Sequence, residues 1–201
     1  MDLINYEYYN LVRKSELVNS IINVIDKFTD EELYLTGGVL RNTIWNILHN
    51  RKEDFYIDDC DIIFYSDIVD KMREKEIEKY LTNIFPYLNW SVKNQARMHI
   101  RNGHFKYKNL ENAIYCFPET SSAIAINGNW QMIAPYGYRD ILELNLRPTT
   151  FCKRNELHIF NKRVAHKKWL SKFEMLNYYS TQQKCLGKCL QTEVIEQLNK
   201  N

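Results

Sequence analysis

Apolar positions along the chain fall into alternating helical and extended patterns. Leu17, Ile21, Ile22 and Ile25 recur at helical spacing, so residues 3 to 28 read as helix. "ELYLTGG" is short, apolar and glycine-terminated, and reads as a strand. Leu40, Ile44, Ile47 and Leu48 then form an i, i+4, i+7, i+8 stripe, one buried helix face. After the polar loop "NRKED", the stretch "FYIDDCDIIFY" is rich in β-formers and reads as a strand. Residues 67 to 85 predict a surface helix that stops before Pro86. "YLNWSVKN" predicts another strand, and "QARMHIRNG" a short helix closed by Gly103. "TSSAIAI" and "NWQMIAP" suggest a hairpin around Asn127-Gly128. A short helix is expected at 138 to 144, a helix with one basic side at 161 to 178, and a loose helix over the last twenty residues. Helices of this kind mixed with short strands predict an α+β domain, in which helices pack on a small mixed β-sheet.

Composition sharpens this picture by exclusion. The 201 residues are 45% hydrophobic and 26% charged, enough apolar material for a real core. No apolar run approaches the roughly 18 residues of a membrane span, so no membrane contact is expected. The N-terminus lacks the basic and apolar regions of a secretory signal. Five scattered cysteines give no disulfide framework and no four-ligand zinc pattern, which fits reduced thiols in a cytoplasm. The net charge of +2 conceals a gradient: residues 1 to 80 are acid-rich and 151 to 190 are basic. That gradient is either an ordinary solvated surface or a cation site opposite a polyanion contact.

Candidate chemistry concentrates at two places. On the strand "IDDCDII", side chains alternate, so Asp59 and Asp61 share a face about 6–7 Å apart at Cα, while Asp58 points away. Two carboxylates in an apolar stretch call for a cation, and Mg²⁺ takes oxygen ligands. The other reading is a solvated edge strand whose acids discourage pairing with another chain. Upstream, Gly37 and Gly38 stand between a strand and a helix start. There, backbone N–H groups and the helix dipole meet an anion, and glycine lets phosphate come close. A tight turn alone would also use a glycine there. Neither a Walker lysine nor a three-glycine dinucleotide pattern is present.

Glycines at a helix start followed by an aspartate pair on the next strand resemble the nucleotidyltransferase superfamily that includes DNA polymerase beta. "TGGVLRNTIWNILH", "DDCDIIFY", "WSVKNQARMH", "CFPETSSAIAI", "IAPYGYRDIL", "LRPT" and "RVAHKKW" occur in that order over roughly residues 34 to 170. Together they resemble a family of small bacterial nucleotidyltransferases. The pattern along the chain predicts a domain over 1–175, N-terminal helix included, with a helical tail at 176–201. The resemblance makes that domain nucleotidyltransferase-like and implies phosphate contacts at Gly37 and Gly38, and two Mg²⁺ ions on Asp59 and Asp61 that activate an acceptor hydroxyl and the leaving pyrophosphate. Arg41 and Asn42, in the first helical turn, join the candidate nucleotide-binding residues, with Ser91 and Lys93 on the later strand.

Two departures from the superfamily pattern matter. Gly38 and Asp59 are further apart than usual, so a loop must be absorbed between them. Ser91 stands where a third carboxylate is expected, and serine is a poor metal ligand. Glu119 and Asp140 are the candidate catalytic substitutes. Gln95, Arg97 and His99 fit substrate contact or a structural network equally well. Arg163, Lys167 and Lys168 could face a polyanion, and Trp169 and Tyr136 could stack bases. The implied function is Mg²⁺-dependent transfer of a nucleoside monophosphate from a triphosphate, ATP among the candidates, to an acceptor that is RNA, protein or a small molecule. The rivals are a nucleotide-binding sensor weakened in turnover, and an RNA-binding protein without catalysis.

Overall fold

The computed structural model describes residues 3–57, 59–68 and 71–180. Two helices open the chain, α1 (Leu3–Arg13) and α2 (Glu16–Ile25). They replace the single helix expected over 3 to 28. The break falls at Ser15, whose side chain accepts a hydrogen bond from Val18 N at 3.1 Å, so the serine caps a new helix.

Five strands form the main sheet: β1 (Tyr34–Thr36), β2 (Asp59–Phe64), β3 (Asn89–Asn94), β4 (Ala125–Asn127) and β5 (Met132–Ile133). Their order is β3-β2-β1-β4-β5, with β2 and β3 parallel and the other neighbours antiparallel. Helix α3 (Gly38–Leu48) joins β1 to β2, and α4 (Lys71–Ile84) makes the crossover that a parallel pair requires. Helices α5 (Gln95–Asn102) and α6 (Leu110–Tyr115) lead from β3 to β4. The remainder is α7 (Arg139–Leu142), β6 (Asn145–Leu146), α8 (Thr150–Asn155), α9 (Leu157–Lys167), α10 (Trp169–Lys172) and β7 (Asn177–Tyr178), with β6 and β7 paired in parallel. The helix expected over 161 to 178 is therefore two helices and a strand. The tail expected from 176 enters β7 and then lies outside the described residues from 181 onward.

Strand alternation builds the core and the site at once. Leu35, Ile62, Phe64, Val92 and Ile126 face one side, where they join Val18, Ile22, Leu40, Ile44 and Trp45 from the helices in the main core. Each such aliphatic side chain contributes about 1.5–3 kcal/mol by leaving water. The opposite face carries Tyr34, Ile63 and Ala125 under Ile114 of α6. Thr36 and Asp61 are register partners across β1 and β2, and Asp61 and Ser91 are partners across β2 and β3. The burial of Ile62 thus turns Asp61 to the far face, beyond the edge of the second apolar cluster.

The long connection between α3 and β2 is absorbed by buried amides. Asn42 Nδ2 donates to Tyr56 O at 2.6 Å, and Asn46 Nδ2 donates to Glu53 O at 2.9 Å. Trp169 of α10 packs edge-on against Trp45, and the Arg41 guanidinium lies 4.3 Å over its ring. That contact docks the end of α9 beside β2. Trp169 is 2% exposed, so its ring is closed to a base, and half-buried Tyr136 has one face stacked on Tyr115.

Candidate active site

The strand-to-helix turn is made by Gly37, at φ +71° and ψ −129°. L-residues rarely adopt that conformation. A Cβ on Gly37 would also lie 3.0 Å from Asp61 Oδ2, closer than an ordinary contact. Gly38 is already helical, and a Cβ there would lie 3.7 Å from Asp59 O and from Arg41 Nη2. The two glycines therefore differ: Gly37 makes the turn, and Gly38 keeps the mouth of α3 open.

Two clefts meet at this point. The larger, about 640 Å³, is bordered by Thr36, Ser91, Lys93, Gln95, His104 and Glu156 among others. The smaller, about 230 Å³, is bordered by Arg41, Asn42, Asp59, Lys167, Trp169 and Lys172. Gly38, Asp61 and Arg163 line both. Asp61 thus stands at the junction of a cation-rich cleft and a larger trough of mixed lining.

The two aspartates differ electrostatically. Asp59 accepts from Lys167 Nζ at 2.9 Å and from Asn89 Nδ2 at 2.8 Å. The lysine holds its carboxyl below the usual carboxylate range, against partial burial. Burial pushes Asp61 the other way, upward, offset in part by a hydrogen bond from Ser91 and reinforced by the charge of Asp59. Environments that separate two neighbouring carboxylates in this way are frequent at functional sites. Between them, burial and the two aspartates push the Cys60 thiol up to about 12, so it stays protonated in the core.

Among the described residues no cluster of three His, Cys, Asp or Glu side chains is arranged to hold a metal. The Asp59–Asp61 pair nevertheless fits Mg²⁺. It offers hard oxygen donors on one strand face beside open space, and Mg²⁺ keeps several waters and substrate phosphates in its shell. A cation already sits on Asp59 in the form of the Lys167 ammonium.

The remaining candidates divide. Ser91 is the register partner of Asp61 on the neighbouring strand, and its hydroxyl lowers the carboxyl that burial raises. Lys93 lines the trough, with its ammonium donating to Val92 O at 2.9 Å and 4.0 Å from Glu78. Arg41 is 4% exposed and donates from Nη1 to Ser122 Oγ at 2.7 Å, and from Nε to Asn42 Oδ1 at 3.0 Å. Glu119 borders the trough, but it is fully buried and held at both oxygens by Arg163, at 2.5 and 3.2 Å. A carboxylate so held has no side open to a second cation. Asp140 borders neither cleft; it pairs with Arg147 at 3.4 Å beyond α7. Arg97 is structural: it clamps Glu74, whose Oε1 also accepts from Asn94 N at 2.8 Å. His99 Nδ1 is engaged with Ala96 O at 2.9 Å. The sequence reading gave no weight to His104 and Glu156, since their pairing across the trough at 2.6 Å spans 52 positions.

A glycine turn, a helix mouth and an aspartate pair on the adjoining antiparallel strand define a nucleotidyltransferase fold of the polymerase beta type. The chain belongs to the nucleotidyltransferase family whose sequence profile matches residues 23–178. It is similar to a protein whose NMR structure was described as a CCA-adding enzyme head domain, at 28% identity and a TM-score of 0.76, over 88% of this chain and 96% of that one. It shares its fold with a CCA-adding enzyme in complex with CTP, at 15% identity and a TM-score of 0.55, over 100% of this chain and 49% of that one. The Thermotoga maritima CCA-adding enzyme complexed with tRNA matches at 16% and 0.53, over 96% of this chain and 45% of that one. The chain spans about half the length of those last two. No functionally curated protein matches it.

Proposed function

We propose that this domain transfers a nucleoside monophosphate from a nucleoside triphosphate to an acceptor hydroxyl, with Mg²⁺ on Asp59 and Asp61 and release of pyrophosphate. The observation that carries the reading is the junction: Asp61 lines both a cation-rich cleft and a trough, and Asp59 stands beside it in the cleft. Arg41, Lys167, Lys172 and the mouth of α3 at Gly38 suit a triphosphate, since guanidinium, ammonium and helix N–H groups all match phosphate oxygens. The trough suits the acceptor. When bound, Mg²⁺ supplies charge neutralisation at the phosphates and the leaving group.

The protein's own part is positioning. The trough holds the acceptor oxygen in line with the α-phosphorus. A bond forms there as the bond to the pyrophosphate oxygen breaks. The acceptor's proton passes to Asp61, the carboxylate at the junction, beside Ser91 on the parallel strand. Asp59 holds charge beside the triphosphate once Lys167 turns from it to phosphate. Glu119 takes no proton; it fixes Arg163 at the junction. The same reading places the protein in the cytoplasm, consistent with free Cys60, Cys116 and Cys152.

Labelled triphosphates incubated with Mg²⁺ and total cell lysate test this. Label should move to one class of acceptor in wild type, and no label should move in Asp59→Asn or Asp61→Asn. The serine at position 91 favours a second reading, a nucleotide-binding module without turnover. In that case triphosphate would bind and melt-stabilise the wild type while no acceptor in the lysate became labelled.

A further inference from the structure

The trough has a far end that the transfer step does not use. Glu156, Ile159 and Arg163 border it at i, i+3 and i+7, from the N-cap of α9 to past its middle, a span of roughly 10 Å at 1.5 Å per residue. It ends at Arg101, Asn102 and His104, where α5 closes in the left-handed cap Gly103 at φ +68°. The turn beyond is tightly fastened. Tyr107 is 2% exposed; its hydroxyl meets Asn102 Nδ2 at 3.2 Å and His104 Nδ1 at 2.5 Å. Tyr65 donates to Tyr107 O at 2.6 Å, and His104 Nε2 meets Glu156 Oε1 at 2.6 Å. Between these anchors the ring of Phe105 is 98% exposed.

A single exposed apolar ring is ordinary. This one is distinguished by the fastened turn that carries it, next to His104 of the trough, and by its charge surroundings. Arg101, Lys106 and Lys108 flank it, all exposed, and residues 101 to 110 contain no acid. Exposed Lys153 and Arg154 stand just before Glu156, on the other wall. An aromatic platform set among cations is what single-stranded nucleic acid binds: bases stack on the ring and phosphates take the charge. A turn whose backbone is fastened before binding needs little ordering on association.

We propose that the 101–108 turn docks the single-stranded 3′ end of an RNA acceptor. A base stacks on Phe105, phosphates lie on Arg101, Lys106 and Lys108, and the terminal nucleotide enters the trough towards Asp61. RNA rather than DNA is favoured because the Asn102 amide oxygen and the Glu156 carboxylate at the mouth can accept from a 2′-hydroxyl. The proposal rests on the transferase reading for its purpose, but its test does not.

Fluorescence anisotropy of a labelled single-stranded RNA decamer is measured with wild type, Phe105→Ala, Phe105→Trp and the double variant Lys106→Glu/Lys108→Glu. Phe105→Ala should weaken binding about tenfold or more, as expected for one lost base stack, and Phe105→Trp should retain it. The charge variant should weaken binding and flatten its dependence on salt between about 50 and 200 mM. A rise in melting temperature with Mg²⁺ and CTP should be the same in all four. Wild type that binds no RNA at low salt overturns the proposal, as does RNA binding indifferent to both changes. Equal binding of the matching DNA decamer overturns the choice of RNA. A Phe105→Ala variant that changes only self-association in sedimentation makes the ring a contact between copies, and the proposal fails. Loss of the triphosphate response in every protein, with the Phe105 effect intact, defeats the transferase reading and leaves the platform standing.

Discussion

The Lys167 ammonium lies 2.9 Å from Asp59 Oδ2, although 108 positions separate the two residues. In the metal-free protein, the carboxylate assigned to a divalent ion is thus paired with an internal cation. Both side chains are more than a third exposed, so the pair is worth at most about 1 kcal/mol.

Lys167→Met should therefore tighten Mg²⁺ binding in the absence of nucleotide by up to about fivefold, the equivalent of that pairing energy. Its metal-free melting temperature should drop slightly. The sign with pH follows from a lowered carboxyl. The stabilisation is complete above the ordinary aspartate value of about 3.9 and disappears as pH falls through the folded value. Melting curves with a Mg²⁺ titration check this, and identical Mg²⁺ midpoints in the two proteins would show that the lysine does not compete.

Asp61→Asn should separate stability from function. Burial pushes the Asp61 carboxyl up, so its ionised form costs stability at neutral pH. That cost is absent at low pH and grows as pH rises through the folded value. The amide carries no such cost, so metal-free Asp61→Asn should melt higher than wild type at pH 7. About 1 kcal/mol would appear as about 2–4 °C in a chain of this size. Mg²⁺ should then give it no further stabilisation. A lower melting temperature for the variant at neutral pH would show that Asp61 is needed for folding.

Much of this was legible in the sequence because local rules settle it. The strand alternation that puts Ile62 in the core fixes Asp59 and Asp61 on the other face, and Asn94 and Gly103 end α5 as their chemistry requires. What local rules could not reach depends on distant pairing. The α6 and α8 helices are six residues each, too short for a periodic signal. Residues 120 to 126 read as the first arm of a hairpin, yet the chain turns before it: Ser122 N and Ala123 N both bond Glu119 O, and β4 starts only at Ala125. Glu119 looked free to replace the missing acid because its partner, Arg163, is 44 positions away. The basic run containing Arg163 and Lys167 read as a polyanion contact, and both cations instead meet carboxylates at the junction.

The glycine pair should divide under substitution. Gly37→Ala meets both an unfavourable backbone conformation and a 3.0 Å approach to Asp61. It should lose about 1–3 kcal/mol of stability, the usual cost of a strained backbone position. Gly38→Ala is helical and uncrowded, so its melting temperature should hold or rise by the equivalent of up to about 1 kcal/mol. Its triphosphate affinity should fall, because a methyl group stands where phosphate meets the helix mouth. Calorimetric melting and nucleotide titration of both variants decide the matter. Unchanged nucleotide affinity in folded Gly38→Ala would reduce the second glycine to a helical residue.

Ser91→Asp tests whether the site lacks a third carboxylate. Ser91 is the register partner of Asp61 on the parallel strand β3, so a carboxylate there would stand on the same sheet face as the pair. Asp61 is already raised by burial and by Asp59, and a third anion adds like-charge repulsion. The metal-free variant should therefore melt below wild type at pH 7, and the deficit should shrink as pH falls and the carboxyls take up protons. Mg²⁺ should reverse the order, since an ion that binds only the folded state stabilises it in proportion to its affinity. Transfer should rise if the acceptor proton or the metal shell has been short of an oxygen. Equal Mg²⁺ stabilisation in wild type and Ser91→Asp, with no gain in rate, would mean that Ser91 only orients Asp61 and that two carboxylates are all this site uses.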